Sequence, residues 1–538
     1  MKYLSWISHN TRSILWNTIV RVVSGTAQVS LGLLMVWLSR SFIDETIRTG
    51  TTRDITVMII FLVSTVLGRV LLRQVWYLLT ITASVRLTNE LRLKMYSNLF
   101  RRQLFTGKDM HSGDVSYRLT RDIKEVSDTL TDTIPQILIT MIQLLGAFLL
   151  LRHFDKWLAW ALVIMTPLAI IIAKMIGRKL REMTLKIRQD ESLIQMHVQE
   201  GTENNAVLRA MGSEEWVTDR LDDMQQQLKG DVMNRTRFTI LMRIILGCTF
   251  GLGYLLAFVW GGLQLRNGAI TFGVMTSFLQ LVGQIQHPVS SMLTMGSQIF
   301  HSTASLDRLM EMEAHDTDSD DSVLHPALSG IRFENVSFRY VEGDRQIFSD
   351  FNHDFKPGTK TALMGETGIG KTTLFRLMLG FISPDSGEIT LYGDEGSIKV
   401  GTATRPDFVY VPQGNTLMSG SIRFNLQIAD PDASESQLLE ALHIACADFV
   451  LDLPEGLDTQ LGERGSGLSE GQAQRIAIAR GLLRPGSVLL LDEISSSLDA
   501  ETENELYRRL SESRPEKTMI FITHRPTVTG ICDSVISL

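Results

Sequence analysis

Residues 365–373 read GETGIGKTT and fit the spacing G-x-x-x-x-G-K-[ST] of a phosphate-binding loop. Glycines in such a loop let backbone N–H groups face phosphate oxygens, the lysine adds positive charge, and the next hydroxyl is a ligand for Mg²⁺. The segment TLFRLMLG that follows is expected to be a helix whose N-terminal end faces the same anion. The sequence therefore predicts a nucleotide site at Gly365, Glu366, Thr367, Gly368, Ile369, Gly370, Lys371, Thr372 and Thr373.

Two apolar segments further along the chain end in ionisable side chains. VLLLDE ends in Asp492 and Glu493, and MIFITH ends in His524. Such runs are typical of buried parallel strands, and an open α/β sheet binds ligands at the carboxyl ends of its strands. We therefore expect these three side chains to meet Lys371 there. Asp492 would be a Mg²⁺ ligand, Glu493 would orient or deprotonate the attacking water, and His524 would contact the γ-phosphate.

Composition separates two unlike halves of the 538-residue chain. Residues 1–310 hold long apolar runs, whereas residues 325–538 have the pattern of a soluble α/β protein. The net charge of −7 argues against nucleic acid as a partner. We predict a transmembrane domain at 1–312, an acidic linker at 313–326 and a nucleotide-binding domain at 327–538.

Apolar segments that could cross a lipid bilayer lie near 19–43, 56–82, 128–151, 157–177, 239–264 and 271–296. Most of the six are long enough for a hydrocarbon core of about 30 Å. The second and fourth connections between them are long and basic, whereas the others are short. By the positive-inside rule, the basic connections, both termini and the soluble half are cytoplasmic, which predicts a multi-pass protein of the cytoplasmic (inner) membrane.

The two basic connections also keep the helical spacing of apolar residues. We predict two helical hairpins below the membrane, with tips at 106–114 and 200–213 that are candidates for docking on the soluble half. A solvated extension without a partner is the alternative. Polar residues within the apolar segments either pack between helices or line a translocation path; they are Arg21, Gln28, Gln280, Gln284 and His287.

Together these motifs resemble those of an ATP-binding cassette (ABC) exporter half-transporter, and the resemblance covers essentially the whole chain. Tyr340 in VSFRY matches the aromatic residue that stacks on adenine. Gln413 in VYVPQG matches the glutamine that touches Mg²⁺, senses the membrane domain and belongs to the catalytic set with Glu493 and His524. TQLGERGSG resembles the stretch that links the nucleotide site to the coupling helices in exporters, with Glu463 at its acidic position.

LSEGQ matches the signature of this family and comprises Leu468, Ser469, Glu470, Gly471 and Gln472. Glu470 stands where glycine is commoner. SSLD brings Asp499 to the loop that contacts the second subunit. The resemblance implies composite sites, in which the phosphate loop of one subunit faces the signature of another. A second half-transporter subunit is therefore the implied partner, in a homodimer or in a heterodimer.

The implied fold is multidomain. An all-α six-helix transmembrane domain with long cytoplasmic helical extensions precedes an α/β P-loop NTPase domain. The implied function is the export of an amphipathic lipid, drug or peptide by alternating access, with ATP and Mg²⁺ as cofactors. One half of a heterodimeric exporter, or a membrane-anchored regulatory or remodelling ATPase without transport, are the alternatives.

Features near the two ends of the chain carry further expectations. MKYLSWISHNTRSILWN is expected to be an interfacial helix rather than a removable signal peptide. With no cysteine-protease domain before the first span, export of peptides with leader cleavage is disfavoured. The chain stops at CDSVISL, where relatives continue with a strand and a helix, so we expect the last strand to be less stable.

Overall fold

A computed structural model describes residues 2–101, 112–314, 323–340, 346–366, 368–462 and 465–538. The chain divides into two compact units, which we call the helical unit (Met1–Tyr96 and Val115–Glu313) and the sheet unit (Ser97–Asp114 and Ala314–Leu538). Several predicted features lie outside the described residues: most of the 106–114 tip, most of the 313–326 linker, Thr367, Glu463 and the side chain of His287.

The helical unit is built from long helices joined by short turns. π-helical turns at Phe42–Thr46, Arg118–Asp122 and Thr129–Thr133 interrupt or extend them. The helices are α1 (Lys2–Asn10), α2 (Leu15–Ser41), α3 (Ile47–Thr49), α4 (Thr52–Arg101), α5 (Ser112–Tyr117), α6 (Ile123–Asp128), α7 (Ile134–Phe154), α8 (Lys156–Glu203), α9 (Asn205–Met211), α10 (Glu214–Arg266) and α11 (Phe272–Glu313).

Each predicted apolar segment coincides with one of these long helices: α2, α4, α7 with the π turn before it, α8, α10 and α11. Among the described residues, three stretches are long and apolar enough to cross a membrane, namely Arg12–Thr49, Thr52–Arg101 and Gly113–Phe154. Helices α4, α8 and α10 continue well beyond their apolar segments. This confirms the prediction that the basic connections are helical.

Polar side chains that the sequence placed inside the apolar segments have different environments. Arg21 is fully buried and donates hydrogen bonds to the backbone oxygen of Thr131 and to a neighbouring hydroxyl. The Gln284 side-chain amide donates to the backbone oxygen of Gly32 at 3.2 Å. These contacts favour the packing alternative for Arg21 and Gln284, whereas Gln280 is exposed.

An ion pair joins α11 to the π turn that ends at Asp122. The Asp122 carboxylate is fully buried and accepts two hydrogen bonds from the Arg308 guanidinium, at 2.7 and 2.6 Å. The Ser305 hydroxyl donates to the same carboxylate at 2.9 Å. Near the ends of α4 and α11, Lys94 pairs with Glu313 at 2.5 Å. These contacts hold α11 against the first half of the unit.

The sheet unit contains an α/β core. Its strands are β1 (Leu328–Arg339), β2 (Gln346–Phe355), β3 (Lys360–Met364), β4 (Ser386–Gly393), β5 (Gly396–Lys399), β6 (Phe408–Val411), β7 (Gly420–Ser421), β8 (Gln460–Leu461), β9 (Val488–Asp492), β10 (Thr518–Ile522) and β11 (Ser534–Ser537). Its helices are α12 (Lys371–Met378), α13 (Ile422–Gln427), α14 (Glu435–Ile444), α15 (Glu470–Leu482), α16 (Ala500–Ser513) and α17 (Pro526–Thr529).

Two larger sheets and one short ribbon organise these strands. The parallel sheet has the order β11-β3-β10-β9-β6, and an antiparallel sheet has the order β2-β1-β4-β5. Strands β7 and β8 pair separately. The predicted strands IRFENVSFRY, TKTALMG, VLLLDE and MIFITH are confirmed as β1, β3, β9 and β10. The last strand, β11, lies at the edge of the parallel sheet.

The apolar run of β9 is continuous because both faces of this strand are covered. Leu489 and Leu491 belong to a core with helices α13 to α16. Val488 and Leu490 point to the other face and belong to a core shared with the antiparallel sheet and α12. The period of two along a strand distributes these side chains between two cores, and the parallel sheet is fixed between them.

Candidate nucleotide-binding and hydrolysis site

The loop between β3 and α12 has the backbone that a phosphate cradle needs. Gly365, Gly368 and Gly370 have positive φ angles of 148°, 85° and 121°. A Cβ atom on Gly370 would lie 2.6 Å from the Ile347 side chain, so only glycine fits. Within the loop, the Ile369 N–H donates to the backbone oxygen of Glu366 at 3.4 Å.

Lys371 is the first residue of α12, and its side chain turns back over the loop. Its ammonium donates to the backbone oxygens of Gly365 at 2.6 Å and Glu366 at 3.2 Å. It also lies 3.1 Å from His524 Nε2. Lys371 is buried, and the loop carbonyls hold its ammonium where phosphate oxygens would bind.

The strand order brings four predicted residues into a row. Strand β10 lies between β3 and β9, and β6 lies beyond β9. His524, two residues after β10, therefore lies between Lys371 and Glu493, and its Nε2 is 3.4 Å from Glu493 Oε1. Gln413, which follows β6, donates its side-chain amide to Glu493 Oε2 at 2.7 Å. Lys371, Glu493 and His524 therefore meet at the carboxyl edge of the sheet, as expected from the sequence, and Gln413 lies beside them.

The tautomer of His524 follows from its neighbours. An ammonium can only donate, so the Lys371 contact requires that Nε2 accepts and that the ring proton is on Nδ1. In that tautomer the Glu493 carboxylate is close to Nε2 without a hydrogen bond.

Glu493 has an unusual backbone. Its φ is +48°, a left-handed conformation that a residue other than glycine rarely adopts. The Glu493 N–H nevertheless donates to the backbone oxygen of Ile522 at 3.0 Å, which extends the β9–β10 pairing by one residue. Strain of this kind is concentrated at active sites. Here it turns the carboxylate away from the strand and toward His524 and Gln413.

Asp492 lies one residue earlier, at the end of β9. Burial raises the pKa of Asp492 to about 6, and the adjacent Glu493 charge acts in the same direction. The Thr372 hydroxyl lies beside Asp492 and partly opposes this shift. Oxygen ligands of this kind suit Mg²⁺, which prefers one or two carboxylates or hydroxyls together with phosphate oxygens. The residues present therefore fit a magnesium site shared by Thr372 and Asp492.

Tyr340 is positioned by groups of α12. Its hydroxyl lies 3.3 Å from the Thr373 hydroxyl and accepts a hydrogen bond from Arg376 at 2.9 Å. Its ring contacts Phe338 edge to face, with the ring centroids 4.9 Å apart. The helix that begins at the phosphate loop thereby fixes the aromatic residue predicted to stack on the base.

The signature residues form the start of α15. Ser469 caps this helix: its hydroxyl accepts from the Gln472 N–H at 3.2 Å, and the Gln472 side chain accepts from the Ser469 N–H at 2.9 Å. Glu470 is exposed in the first turn, where the helix dipole favours a carboxylate. Gly471 is buried, and a Cβ there would lie 2.7 Å from the backbone oxygen of Ser497. Leu468 packs against the helical core.

Asp499 caps the next helix, α16. Its carboxylate accepts from the N–H and the hydroxyl of Thr502, at 2.9 and 2.8 Å, and these bonds lower the pKa of Asp499. Arg525 braces the preceding turn by donating to the backbone oxygens of Ser496 and Leu498 and to Glu503. The predicted dimer-contacting loop is therefore held by the residue that follows His524.

The predicted residues fall into separate groups. In the part of the chain that the structure describes, no hydrogen bond or ion pair joins Leu468–Gln472 or Asp499 to the row formed by Lys371, His524, Glu493 and Gln413. One chain thus presents two separate groups: a phosphate loop with its acids, and a helix N-terminus with an exposed serine.

Three residues of the site were missed by sequence reasoning. Tyr410 lies beside Asp492, and burial together with that carboxylate raises the pKa of Tyr410 to about 12. Arg376 holds Tyr340, and Arg525 braces the loop of Asp499. A tyrosine in an otherwise apolar strand was a usable signal for Tyr410. Arg376 lies on α12 and Arg525 just before α17, and no local pattern marks either of them.

This fold and site define a class of protein: a P-loop ATPase joined in one chain to helices that can cross a membrane. Residues 18–289 match the protein family described as "ABC transporter transmembrane region", and residues 348–496 match the family described as "ABC transporter". The chain therefore belongs to the ABC transporter family, and its transport is coupled to ATP hydrolysis. It combines the transmembrane region and the ATP-binding domain in the exporter-type order.

Known relatives match nearly the whole chain. The Bacillus subtilis protein YgaD, whose name describes a multidrug export ATP-binding/permease protein, is 26% identical over 549 residues, which cover 99% of this chain and 93% of YgaD. The ATP-dependent lipid A-core flippase of Syntrophus aciditrophicus is 27% identical over 458 residues, 84% of this chain and 76% of the flippase. The structure of a bacterial Atm1-family ABC exporter with ATP bound has a TM-score of 0.82 at 21% identity and covers 98% of this chain and 93% of that one. The predicted fold class is confirmed.

Proposed function

We propose that two copies of this chain form an ATP-driven exporter of amphipathic molecules in a cytoplasmic membrane. The row of Lys371, His524, Glu493 and Gln413 at the carboxyl edge of the sheet, in the same chain as the membrane-type helices, is the observation that carries this proposal. Residues 1–312 would form the transmembrane domain and residues 327–538 the cytoplasmic nucleotide-binding domain. Relatives named for export of drugs and of lipid A-core support the amphipathic substrate class.

Binding of ATP uses the loop and Tyr340. The loop N–H groups and the Lys371 ammonium contact the phosphates, and the Tyr340 ring stacks on the base. Thr372 and Asp492 would hold Mg²⁺, with Gln413 in reach of the same region. When bound, the ion neutralises charge on the β- and γ-phosphates.

Hydrolysis needs a water placed in line with the γ-phosphate. The Glu493 carboxylate orients this water and accepts its proton, since its φ of +48° points the side chain out of the strand. Gln413 holds one carboxylate oxygen and leaves the other for the water. His524 contacts the γ-phosphate and holds the Glu493 carboxylate and the Lys371 ammonium in position beside it.

Completion of the site requires the second subunit. The exposed Ser469 at the N-terminus of α15 can donate to a γ-phosphate from the other chain. Two ATP molecules would then bridge two nucleotide-binding domains and close the dimer. Closure would draw the inner ends of the membrane helices together and favour an outward-open state, and hydrolysis would reset it. Because one chain holds every residue of a composite site, a homodimer suffices.

Transport into inverted membrane vesicles tests this proposal. Uptake of a fluorescent amphipathic dye should require ATP and should disappear in Lys371→Ala, which removes the charge at the phosphate loop. Lys356→Ala, an exposed lysine of the same unit, is the matched control and should transport normally. ATP hydrolysis without uptake of any amphipathic dye, drug or lipid would contradict an export function.

A further inference from the structure

A groove that combines polar and apolar side chains lies between the first two predicted spans. It occupies about 140 Å³ and is lined by Gln28 of α2 and by Val66, Arg69, Val70 and Arg73 of α4. Gln28 and Arg69 are half-buried, and Arg73 is exposed. This volume is well above the roughly 10–15 Å³ that a single water needs. The groove can therefore hold several waters or one polar headgroup.

The two arginines are unusual for their position. They lie within Thr52–Arg101, whose most apolar window has a mean hydropathy of 2.4. An arginine at the centre of a span costs several kcal/mol unless it is paired or solvated. Arg69 rests against α2, with Nη1 3.7 Å from the Met35 sulfur. In the described ranges, neither Arg69 nor Arg73 has a carboxylate within 4.0 Å. An anion from another molecule can supply the missing negative charge.

The lining suggests what that molecule is. Arg69 and Arg73 are four residues apart, so their guanidinium groups share one helix face and can act on one anion. Guanidinium groups match carboxylate and phosphate oxygens in bidentate geometry. The Gln28 amide adds donors from the facing helix. Val66 and Val70, 42% and 51% exposed, supply an apolar wall beside the cations.

We propose that this groove binds the carboxylate or phosphate headgroup of an anionic amphipathic molecule, whose alkyl chain lies along the apolar face of α4. The proposal rests on the export function proposed above and narrows its substrate class. Amphipaths with a neutral or cationic headgroup would gain nothing from Arg69 and Arg73. The exporter would therefore prefer acidic amphipaths.

Photoaffinity labelling of the full-length protein tests this. The dimer is placed in nanodiscs of phosphatidylcholine and labelled with a diazirine derivative of palmitic acid. Laurate and dodecyl phosphate are the competitors, with dodecyl maltoside and dodecyltrimethylammonium as neutral and cationic comparators. Acetate and inorganic phosphate test the headgroup without a chain. We expect saturable labelling on α4 that both anionic amphipaths displace and the two comparators do not.

Three variants locate the site. The double variant Arg69→Gln, Arg73→Gln should weaken the apparent affinity by about 10–100-fold, the range for hydrogen bonds to a charged group. Arg69→Lys, Arg73→Lys keeps the charge and should retain most of the affinity. Arg53→Gln removes an exposed arginine at the start of the same helix, outside the groove, and should bind like the wild type.

Several outcomes would overturn the proposal. Labelling that is unchanged in the glutamine double variant, or displaced equally by the cationic amphipath, shows that the arginines do not select an anion. If the double variant loses the dimer while its labelling is unchanged, the arginines instead pair with an acidic residue of the second subunit. If the glutamine double variant does not fold, the lysine double variant provides the test. Its failure to bind either anionic amphipath would also overturn the proposal.

Separate readouts distinguish the two proposals. ATP hydrolysis and ATP-driven dye uptake are measured on the same wild-type preparations. If both are present while labelling ignores Arg69 and Arg73, only the headgroup site fails. If labelling depends on the arginines but ATP drives no uptake, the export function fails and the binding site stands.

Discussion

Asp492 in the sheet unit and Asp122 in the helical unit are both buried carboxylates, 5% and 0% exposed, but their neighbours differ. Asp122 accepts two bonds from Arg308 and one from Ser305. Asp492 has hydroxyl neighbours, Thr372 and Tyr410, and no ion pair among the described residues. A buried carboxylate with its own cation serves the packing of helices. One without an ion pair, beside a second acid, is suited to receive a metal ion.

The same contrast holds for cations. Lys371 and Arg69 both lie where desolvation is costly, and among the described residues neither has a carboxylate within 4.0 Å. In the sheet unit the loop carbonyls hold the Lys371 ammonium in place for a phosphate. In the helical unit Arg69 lines a groove with Arg73 and Gln28. In both units, therefore, charges that the protein itself satisfies only in part mark the ligand sites. The following predictions test the difference between these charges and those that are fully paired within the protein.

The largest effect is expected from Glu493→Gln in the hydrolysis site. If Glu493 is the general base as proposed, ATP hydrolysis should slow by roughly 10²–10⁴-fold while ATP still binds, since the glutamine keeps the shape of the side chain. ATPase rates and nucleotide binding on purified protein measure both quantities. Glu516→Gln, an exposed acid in the same unit, is the control and should hydrolyse normally. Hydrolysis within a few-fold of wild type would exclude Glu493 as the base.

Asp122→Asn should have the largest effect on the stability of the helical unit. Breaking a buried ion pair leaves Arg308 without its carboxylate and typically costs about 3–5 kcal/mol. Thermal denaturation in detergent should show a clearly lower midpoint. The matched control is Glu311→Gln, whose carboxylate pairs with Arg118 but is 63% exposed, and it should change the midpoint little. Equal shifts for the two variants would show that the Asp122 pair is not structural.

Asp492 should make magnesium binding depend on pH. Because the pKa of Asp492 is raised to about 6, protonation competes with Mg²⁺ below that pH. The affinity for Mg²⁺ with ATP should fall by up to about tenfold per pH unit below 6. Titrations between pH 5 and 8, roughly the range that brackets this pKa, measure it. Asp492→Asn should bind Mg²⁺ weakly at every pH, without this dependence.

The stability of the nucleotide-free protein should depend on pH through the same raised pKa of Asp492. A carboxyl whose pKa is raised from 3.8 to about 6 on folding favours the folded state below pH 3.8 and loses that contribution as the pH rises through 6. At pH 8 the ionised Asp492 therefore costs stability, by at most about 3 kcal/mol. Asp492→Asn should raise the denaturation midpoint of the nucleotide-free sheet unit at pH 8. A lower midpoint would contradict the raised pKa.

The smallest effect is expected at the aromatic residue of the nucleotide site. Arg376→Gln removes the donor to the Tyr340 hydroxyl and should weaken ATP binding by about fivefold, the value of one hydrogen bond. Tyr340→Phe should act similarly, and the double variant should be no worse than either single one. Arg332→Gln is a control, since Arg332 stacks on Tyr392 in the same unit. Additive effects would mean that Arg376 does not act through Tyr340.

Much of the sheet unit could be predicted because its chemistry follows contiguous motifs. GETGIGKTT, VLLLDE and MIFITH each combine a strand with the group at its end, so strand order alone brings Lys371, Glu493 and His524 together. Arg376 and Tyr340 lie 36 residues apart and meet only through packing of α12, which no local pattern encodes. In the helical unit the sequence left open whether Arg21 and Gln284 pack between helices or line a path, and their contacts favour packing. Arg69 and Arg73 were hidden within a strongly apolar segment.

Mixed dimers test most directly the central claim that each ATP site is shared by two chains. One chain carries Lys371→Ala and the other Ser469→Asp, which keeps a good cap for α15 but places negative charge against the γ-phosphate. Each variant alone should be inactive. If the sites are composite, the mixed dimer contains one intact site, and ATP hydrolysis should recover well above either homodimer. Mixed dimers as inactive as the single variants would show that loop and signature act within one chain.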